Sequence, residues 1–297
     1  MSAALHDKGD PQSGGSNHRM QPPLVSVVLP TFDRTTLLRE AVESVLNQTW
    51  HAWELLVVDD GSTVRVEDWL PIDSRIRVVH LAHSGNIARV RNTGLRNAGG
   101  AYVGFLDSDD RWHPRKLELQ VERLESHPGA DWCHGEGALI DATGTRIKQR
   151  AGPPWQAREG RFIETMIRTD GNIALPTVLV RRSLAQSIGF DERVPTVDDY
   201  DFLLQLSLQA SAVAVEGCVV AEFRQHDGQR TSNTRFDHGL GSALAYRKAH
   251  RQLTDPRLRG LCRHQGVRLL RHYLANARAR GQFWKSAAHA SRLLWSI

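Results

Sequence analysis

The sequence predicts an α/β fold: a mainly parallel sheet flanked by helices, with a helical extension at the C-terminal end. Three observations predict it. Short runs rich in β-branched residues recur along the front of the chain. Between them lie stretches whose apolar residues repeat at helical spacing. Strand and helix alternate about every 30 residues, the pattern of crossovers that join parallel strands under a cover of helices.

The elements follow in order. "LVSVVLP" (Leu24 to Pro30) is a β-branched run closed by proline, a buried strand. In "RTTLLREAVESVLNQTW" the residues Leu37, Leu38, Ala41, Val42, Val45 and Leu46 share one helical face. "WELLVVDDGS" (Trp53 to Ser62) is a second buried strand that runs into acids and a glycine turn. "RIRVVHL" is a third strand. "NIARVRNTGLRNA" is a helix ended by Gly99-Gly100, and "AYVGFLD" is a fourth strand. "DWCHGEGALIDATGTRIKQR" reads as an antiparallel hairpin around an Asp-Ala-Thr-Gly turn. "ALPTVLVRRSLAQSIGFDE" reads as a strand and a short helix ended by Gly189. "VDDYDFLLQLSLQ" is an acidic start to an apolar helix, and "VAVEGCVVAEFRQH" is a late strand. From about residue 237 the pattern is wholly helical, and no internal repeat is present.

In open parallel sheets, ligands bind beyond the carboxyl ends of the strands. Three of the first four strands deliver polar or acidic residues there: Thr31 and Asp33, then Asp59 and Asp60, then Asp107, Asp109 and Asp110. Aspartate after a strand also serves as a helix cap, and one such acid would need no other explanation. Three strand ends in register predict convergence on one rim. Crowded carboxylates repel, and a hard divalent cation removes that cost through oxygen ligands. The sequence has neither a GxxxxGK[ST] loop nor a GxGxxG after its first strand, so phosphate would be held by metal and basic side chains instead.

Composition is that of ordinary globular material: 297 residues, 40% hydrophobic, 24% charged, with a net charge of +5 and a mean hydropathy of -0.40. No apolar run approaches the roughly 20 residues of a membrane helix. "MSAALHDKGDPQSGGSNHRMQPP" lacks a hydrophobic signal segment and reads as a disordered lead over residues 1–23. Cys133, Cys218 and Cys262 are far apart and form no CxxC pair, which fits a reduced, cytoplasmic setting.

"VSVVLPTFDR", "LNQTWHAWELLVVDDGST", "ARVRNTGLRNAGGAYVGFLDSDDRWHPRKL" and "VDDYDFLLQL" occur in order and at matching separations. Together they resemble the family 2 glycosyltransferases over roughly residues 24–235. The resemblance implies a GT-A type, Rossmann-like fold in a catalytic domain over 24–236, followed by a basic helical extension over 237–297. It also implies sugar transfer from a nucleotide-sugar, UDP-linked by expectation, to a glycan or lipid-linked acceptor in polysaccharide or cell-envelope synthesis. Pro30, Thr31, Phe32 and Asp33 match the segment that holds base and ribose. Asp59 and Asp60 match the second-strand acids, one of which accepts from the base. Arg91 matches the arginine of "ARNxG" and would face the nucleotide or its phosphates. Asp107 and Asp109 match the DxD pair, one on ribose and one on Mn²⁺ or Mg²⁺, with Asp110 an alternative metal ligand. Asp199 matches the general base, and Asp198 stands where glutamate is commoner.

The chemistry needs acids in two places. Negative charge builds on the departing diphosphate, and a cation stabilises it. The acceptor hydroxyl must lose a proton as it attacks the opposite face, which a single carboxylate does with inversion. Asp199 is therefore expected across one cleft from Asp107 and Asp109. His226, in "FRQHDGQRTSN", is a further metal or phosphate candidate, with Arg224 or Arg230 for the diphosphate. Trp112 reads as sugar platform or helix packing, and "GNIALPTVLVRR" resembles the acceptor-side segment. Two competing classes remain: a sugar nucleotidyltransferase, against which "LPTFDRTTLL" shows no glycine- and arginine-rich loop, and a non-catalytic binding module.

From Arg247 onward Asp255 is the lone acid among many Lys and Arg residues. Basic amphipathic helices of this kind lie on anionic membrane surfaces. A helical cap with a solvated face, or a homodimer contact, is the alternative. No motif supports nucleic acid as a partner.

Overall fold

A computed structural model describes residues 22–147, 155–169, 173–194, 196–226 and 238–296. Residues 1–21 of the expected disordered lead, the expected domain boundary at 236–237 and Arg230 lie outside the described residues.

The first half follows the expected alternation. Strand β1 (Val25–Thr31) leads to helix α1 (Thr36–Leu46), then β2 (Trp53–Asp59), β3 (Ile76–His80), α2 (Ile87–Asn97) and β4 (Tyr102–Phe105). β1 pairs in parallel with both β2 and β4, and β2 with β3. A central parallel strand is covered on both faces, which is why β1 is buried along its whole length. Its side chains alternate between two cores. Val25, Val27 and Leu29 pack with Leu38, Ala41, Val42 and Val45 of α1. Val28 packs on the opposite face with Leu56, Val58 and residues of α2. Gly94 sets that second contact: a Cβ there would lie 2.3 Å from Val28 Cγ1, so α2 approaches the sheet as only glycine allows.

The second half is mixed. It comprises β5 (Arg111–Trp112), α3 (Lys116–Glu125), β6 (Trp132–Ile140), α4 (Ile163–Thr169), β7 (Leu179–Arg181), α5 (Arg182–Ile188), α6 (Asp198–Gln209) and β8 (Ala212–Arg224). The eight strands form one sheet in the order β3-β2-β1-β4-β7-β6-β8-β5. β7 runs antiparallel to β4 and β6, β5 antiparallel to β8, and β6 parallel to β8. After β6 the chain turns back antiparallel, as the expected hairpin requires, and its continuation over 148–154 lies outside the described residues. Asp141 Oδ1 accepts from the Thr143 and Thr145 amides, and the returning chain makes the Ile140–Arg146 bridge and donates from the Ile147 amide to the Leu139 carbonyl at 2.9 Å. β8 pairs in parallel with β6 from Trp132 to Ile140. Trp112 is 3% exposed, covers Gly104 and carries Lys116 Nζ 4.6 Å from its ring centroid. It packs the core and is no sugar platform.

Helices α7 (His238–Gln252), α8 (Pro256–Ala279) and α9 (Phe283–Ser296) complete the described chain. α7 is not a loose appendage. Ala245, Tyr246 and Ala249 belong to the same core as β4 and α6. Lys248 Nζ lies 2.7 Å from Asp201 Oδ2, and the Tyr246 and Tyr200 hydroxyls are 2.8 Å apart. α7 thus braces the acidic end of α6 against the sheet. Among the described residues no helix is long and apolar enough to cross a membrane.

Candidate active site

The carboxyl ends of β1, β2, β4 and β8 open onto one cleft of about 910 Å³. Pro30, Thr31 and Phe32 enter from β1 and Asp60 from β2. Asp107, Asp109 and Asp110 follow β4, and Phe223, Arg224 and Gln225 come from β8. Arg91 of α2, Asp199 of α6 and the Ala174–Pro176 segment complete the wall. Asp60, Asp107, Asp109 and Asp110 of the expected acids line this cleft, and Asp199 shares it with Asp107 and Asp109.

The DxD turn is held from below. Arg224 is 1% exposed. Its amide donates to Asp110 Oδ1 at 3.0 Å, its Nε donates to the Asp109 carbonyl at 3.0 Å, and its guanidinium pairs with Glu40. It is a strut under the turn, which removes it from the diphosphate candidates. Asp110 is 7% exposed, and burial together with Asp109 and Asp107 raises its carboxyl well above the ordinary range.

Asp109 projects differently. Its Oδ2 lies 3.1 Å from His226 Nε2 and 3.4 Å from Arg34 Nη2. His226 was singled out in the sequence; Arg34 was not, since nothing local marks a residue three positions after β1 as the partner of one that follows β4. The chemistry of this donor set suits a hard divalent cation, with one carboxylate and one imidazole from the protein and the remainder from phosphate oxygens and water. Among the described residues no three His, Cys, Asp or Glu side chains form a metal cage on their own, so the diphosphate would have to complete the sphere.

Arg91 lines the cleft and is tied to acids on both sides. It is 3% exposed, so it is no surface charge. Its Nη2 donates to Asp107 Oδ1 at 2.7 Å and its Nη1 to Asp198 Oδ2 at 2.6 Å. Burial opposes its charge, but the carboxylates of Asp107, Asp198 and Asp199 outweigh that and hold it protonated. Arg91 therefore joins the end of β4 to the start of α6, two segments 91 residues apart in the chain. Asp199 sits beside this pair. Burial and the charge of Asp198 raise its carboxyl, and Arg91 lowers it. Its Oδ1 accepts from the Tyr200 amide at 2.7 Å.

Two expected site acids lie outside the cleft lining. Asp33, at φ 46°, accepts from the Thr63 amide and hydroxyl. Asp59 accepts from the Ser62 amide and bonds His80 Nδ1 at 3.1 Å. Both clamp the loop after β2. Phe32, 41% exposed, stacks on His83 with ring centroids 4.2 Å apart at the cleft mouth. His83 escaped the sequence reading; the signal was its place just after β3, on the same rim as the acids.

Comparisons place this geometry among known proteins. The profile of "Glycosyl transferase family 2" matches residues 26–178. The UDP-Glc:alpha-D-GlcNAc-diphosphoundecaprenol beta-1,3-glucosyltransferase WfgD of Escherichia coli is 28% identical over 215 residues, which cover 71% of this chain and 80% of that protein. The putative teichuronic acid biosynthesis glycosyltransferase TuaG of Bacillus subtilis is 45% identical over 104 residues, 34% of this chain and 41% of TuaG. An uncharacterized glycosyltransferase of Rickettsia felis is 34% identical over 184 residues, 59% of this chain and 29% of the relative. The match thus spans well under half the length of the last two relatives. Among solved structures, S. aureus TarS 1–349 superposes with a TM-score of 0.67 at 18% identity, covering 91% of this chain and 80% of that one. That likeness is one of fold.

Proposed function

The chain belongs to glycosyl transferase family 2, and from that premise we propose that it moves a sugar, with inversion, from a UDP-linked donor to a glycan or lipid-linked acceptor. One observation carries the reading: Asp107, Asp109 and Asp199 face a single cleft, with Arg91 bonded to both Asp107 and Asp198, the neighbour of Asp199. The groups needed at the leaving diphosphate and at the attacking hydroxyl therefore belong to one rigid unit. WfgD is named for a UDP-glucose donor and a lipid-linked acceptor, and TarS has been solved with UDP-GlcNAc.

The roles follow from chemistry. Phe32 and His83 offer a flat aromatic surface to the base, and Thr31 and Asp107 offer polar atoms to the ribose. Asp109 and His226 would hold Mn²⁺ or Mg²⁺ together with diphosphate oxygens. A bound cation of this kind supplies Lewis-acid stabilisation of the charge that builds on the leaving diphosphate. Asp199 takes the proton of the acceptor hydroxyl; its raised pKa makes it a stronger base than an ordinary aspartate, provided it is ionised at the working pH. Arg91 keeps Asp198 and Asp107 in place and limits the rise at Asp199. Ala174, Leu175 and Pro176 present an apolar surface on the acceptor side.

The test is Asp199→Asn, assayed for release of UDP from UDP-GlcNAc and UDP-glucose. Turnover falls about 10²- to 10⁴-fold, the usual contribution of a general base, while donor affinity stays at the wild-type level. A variant that keeps its turnover would remove Asp199 from the base position.

The C-terminal helices extend the reading to a lipid surface. Arg263, Arg268, Arg271 and Arg278 are exposed on α8, and Trp284 of α9 is 82% exposed. Such a surface binds anionic bilayers. Co-sedimentation with phosphatidylglycerol vesicles but not with phosphatidylcholine vesicles is the expected result; equal recovery with both would contradict it.

A further inference from the structure

Thr196 combines two anomalies. Its φ is +66°, a left-handed conformation that a β-branched residue adopts only under constraint. Its Oγ1 is shielded from water and has no hydrogen-bond partner among the described residues. A buried hydroxyl without a partner costs free energy, so the position bears two costs at once. Thr196 also lines the cleft, three residues before Asp199.

The same orphan signature appears at two other cleft residues. Thr31 Oγ1 and Arg91 Nε are buried polar atoms that line the cleft and lack partners. Both stand at positions already expected to face the nucleotide, and neither expectation used hydrogen-bond satisfaction. Among the cleft residues the signature thus coincides with two expected nucleotide positions and with Thr196, to which no motif assigns a role. The transferred sugar must lie between the diphosphate-holding residues and the base. Thr196 stands at the base end of that span, at the entry to α6.

We propose that Thr196 is a specificity-determining residue whose Oγ1 hydrogen-bonds a hydroxyl of the transferred sugar, and that its left-handed backbone is held to place that hydroxyl. The inference rests on the reading of the cleft as a nucleotide-sugar site and adds the group that contacts the sugar itself. Threonine can donate and accept there, so it suits a carbohydrate hydroxyl and contributes little to UDP alone.

Calorimetric titration with UDP, UDP-GlcNAc, UDP-glucose and UDP-galactose in the presence of Mn²⁺ tests this on wild type, Thr196→Val, Thr196→Ser and Thr196→Gly. Valine keeps the shape and removes the hydroxyl. It should weaken the preferred nucleotide-sugar about tenfold, the size of one hydrogen bond, and leave UDP affinity unchanged. Serine should restore the sugar increment. Glycine should lose the increment yet raise the melting temperature by about 2 °C as the backbone constraint disappears. If valine binds UDP and the nucleotide-sugars as the wild type does, or weakens both equally, the inference is overturned while the function stands. If the wild type binds none of these ligands, the proposed function fails and the inference falls with it.

Discussion

Strands β2 and β4 both run into aspartates at the same rim, and the two ends treat their acids in opposite ways. At β2, Asp60 accepts from the Ser84 amide and hydroxyl on one oxygen and from the Gly85 amide on the other. Asp59 is satisfied by Ser62 and His80. These donors are amides and hydroxyls of the rim loops together with the His80 imidazole at the end of β3, so the acids hold the loops in place. At β4, among the described residues, the Asp107 and Asp109 carboxylates meet the side-chain tips of Arg91, Arg34 and His226. Long cationic side chains can trade one anionic oxygen for another, and Asp107 keeps 34% of its side-chain surface exposed. Adjacent acids at a strand end are therefore structural when local neutral donors saturate them and ligand-facing when only charged tips balance them.

The largest effect should come from the residue that joins the second kind of acid to the base. Arg91→Met removes the guanidinium that pairs with Asp198, 1% exposed. Breaking such a buried pair costs about 3–5 kcal/mol, visible in urea unfolding, and activity should fall with it. A variant as stable as the wild type would show that Arg91 does not weld β4 to α6.

Asp60→Asn tests the structural rim. Its amide cannot accept on both sides, so one loop donor is stranded at a cost of about 1–3 kcal/mol, and the melting temperature drops. Asp199→Asn should do the reverse. Burial and Asp198 raise that carboxyl from its ordinary 3.8, so the folded chain holds the proton more tightly than the unfolded chain. Wild-type stability due to this group is therefore lost as pH rises from about 3.8 through the raised value. Asparagine has no such proton, so its advantage in melting temperature should grow with pH across that window. A constant difference would contradict the raised pKa. The smallest effect is expected from Arg34→Gln, whose partly exposed pair contributes about 0–1 kcal/mol to folding; a loss much above that would place Asp109 with the structural acids.

The local half of the fold was legible in the sequence. β1 to β4 and the helices between them are set by periodicity and turn residues within each segment. The mixed half was not, because the long pairing of β6 is with β8, far along the chain, and no local signal in β6 marks that partner. The site divides in the same way. That acids would meet at one rim could be read from three strand ends. Which of them are held by other parts of the chain could not: Asp60 is bonded by Ser84 and Gly85, 24 and 25 residues away, and Arg91 finds Asp198 across 107. Thr196 was silent for another reason, since neither a backbone angle nor an orphaned hydroxyl leaves a mark on residue type.

The most direct test of the cleft as a donor site is calorimetric titration of UDP, with and without Mn²⁺, on wild type and Asp109→Asn. The account predicts Mn²⁺-dependent binding that collapses in the variant while its melting temperature holds. Binding that ignores both Mn²⁺ and the substitution would contradict it.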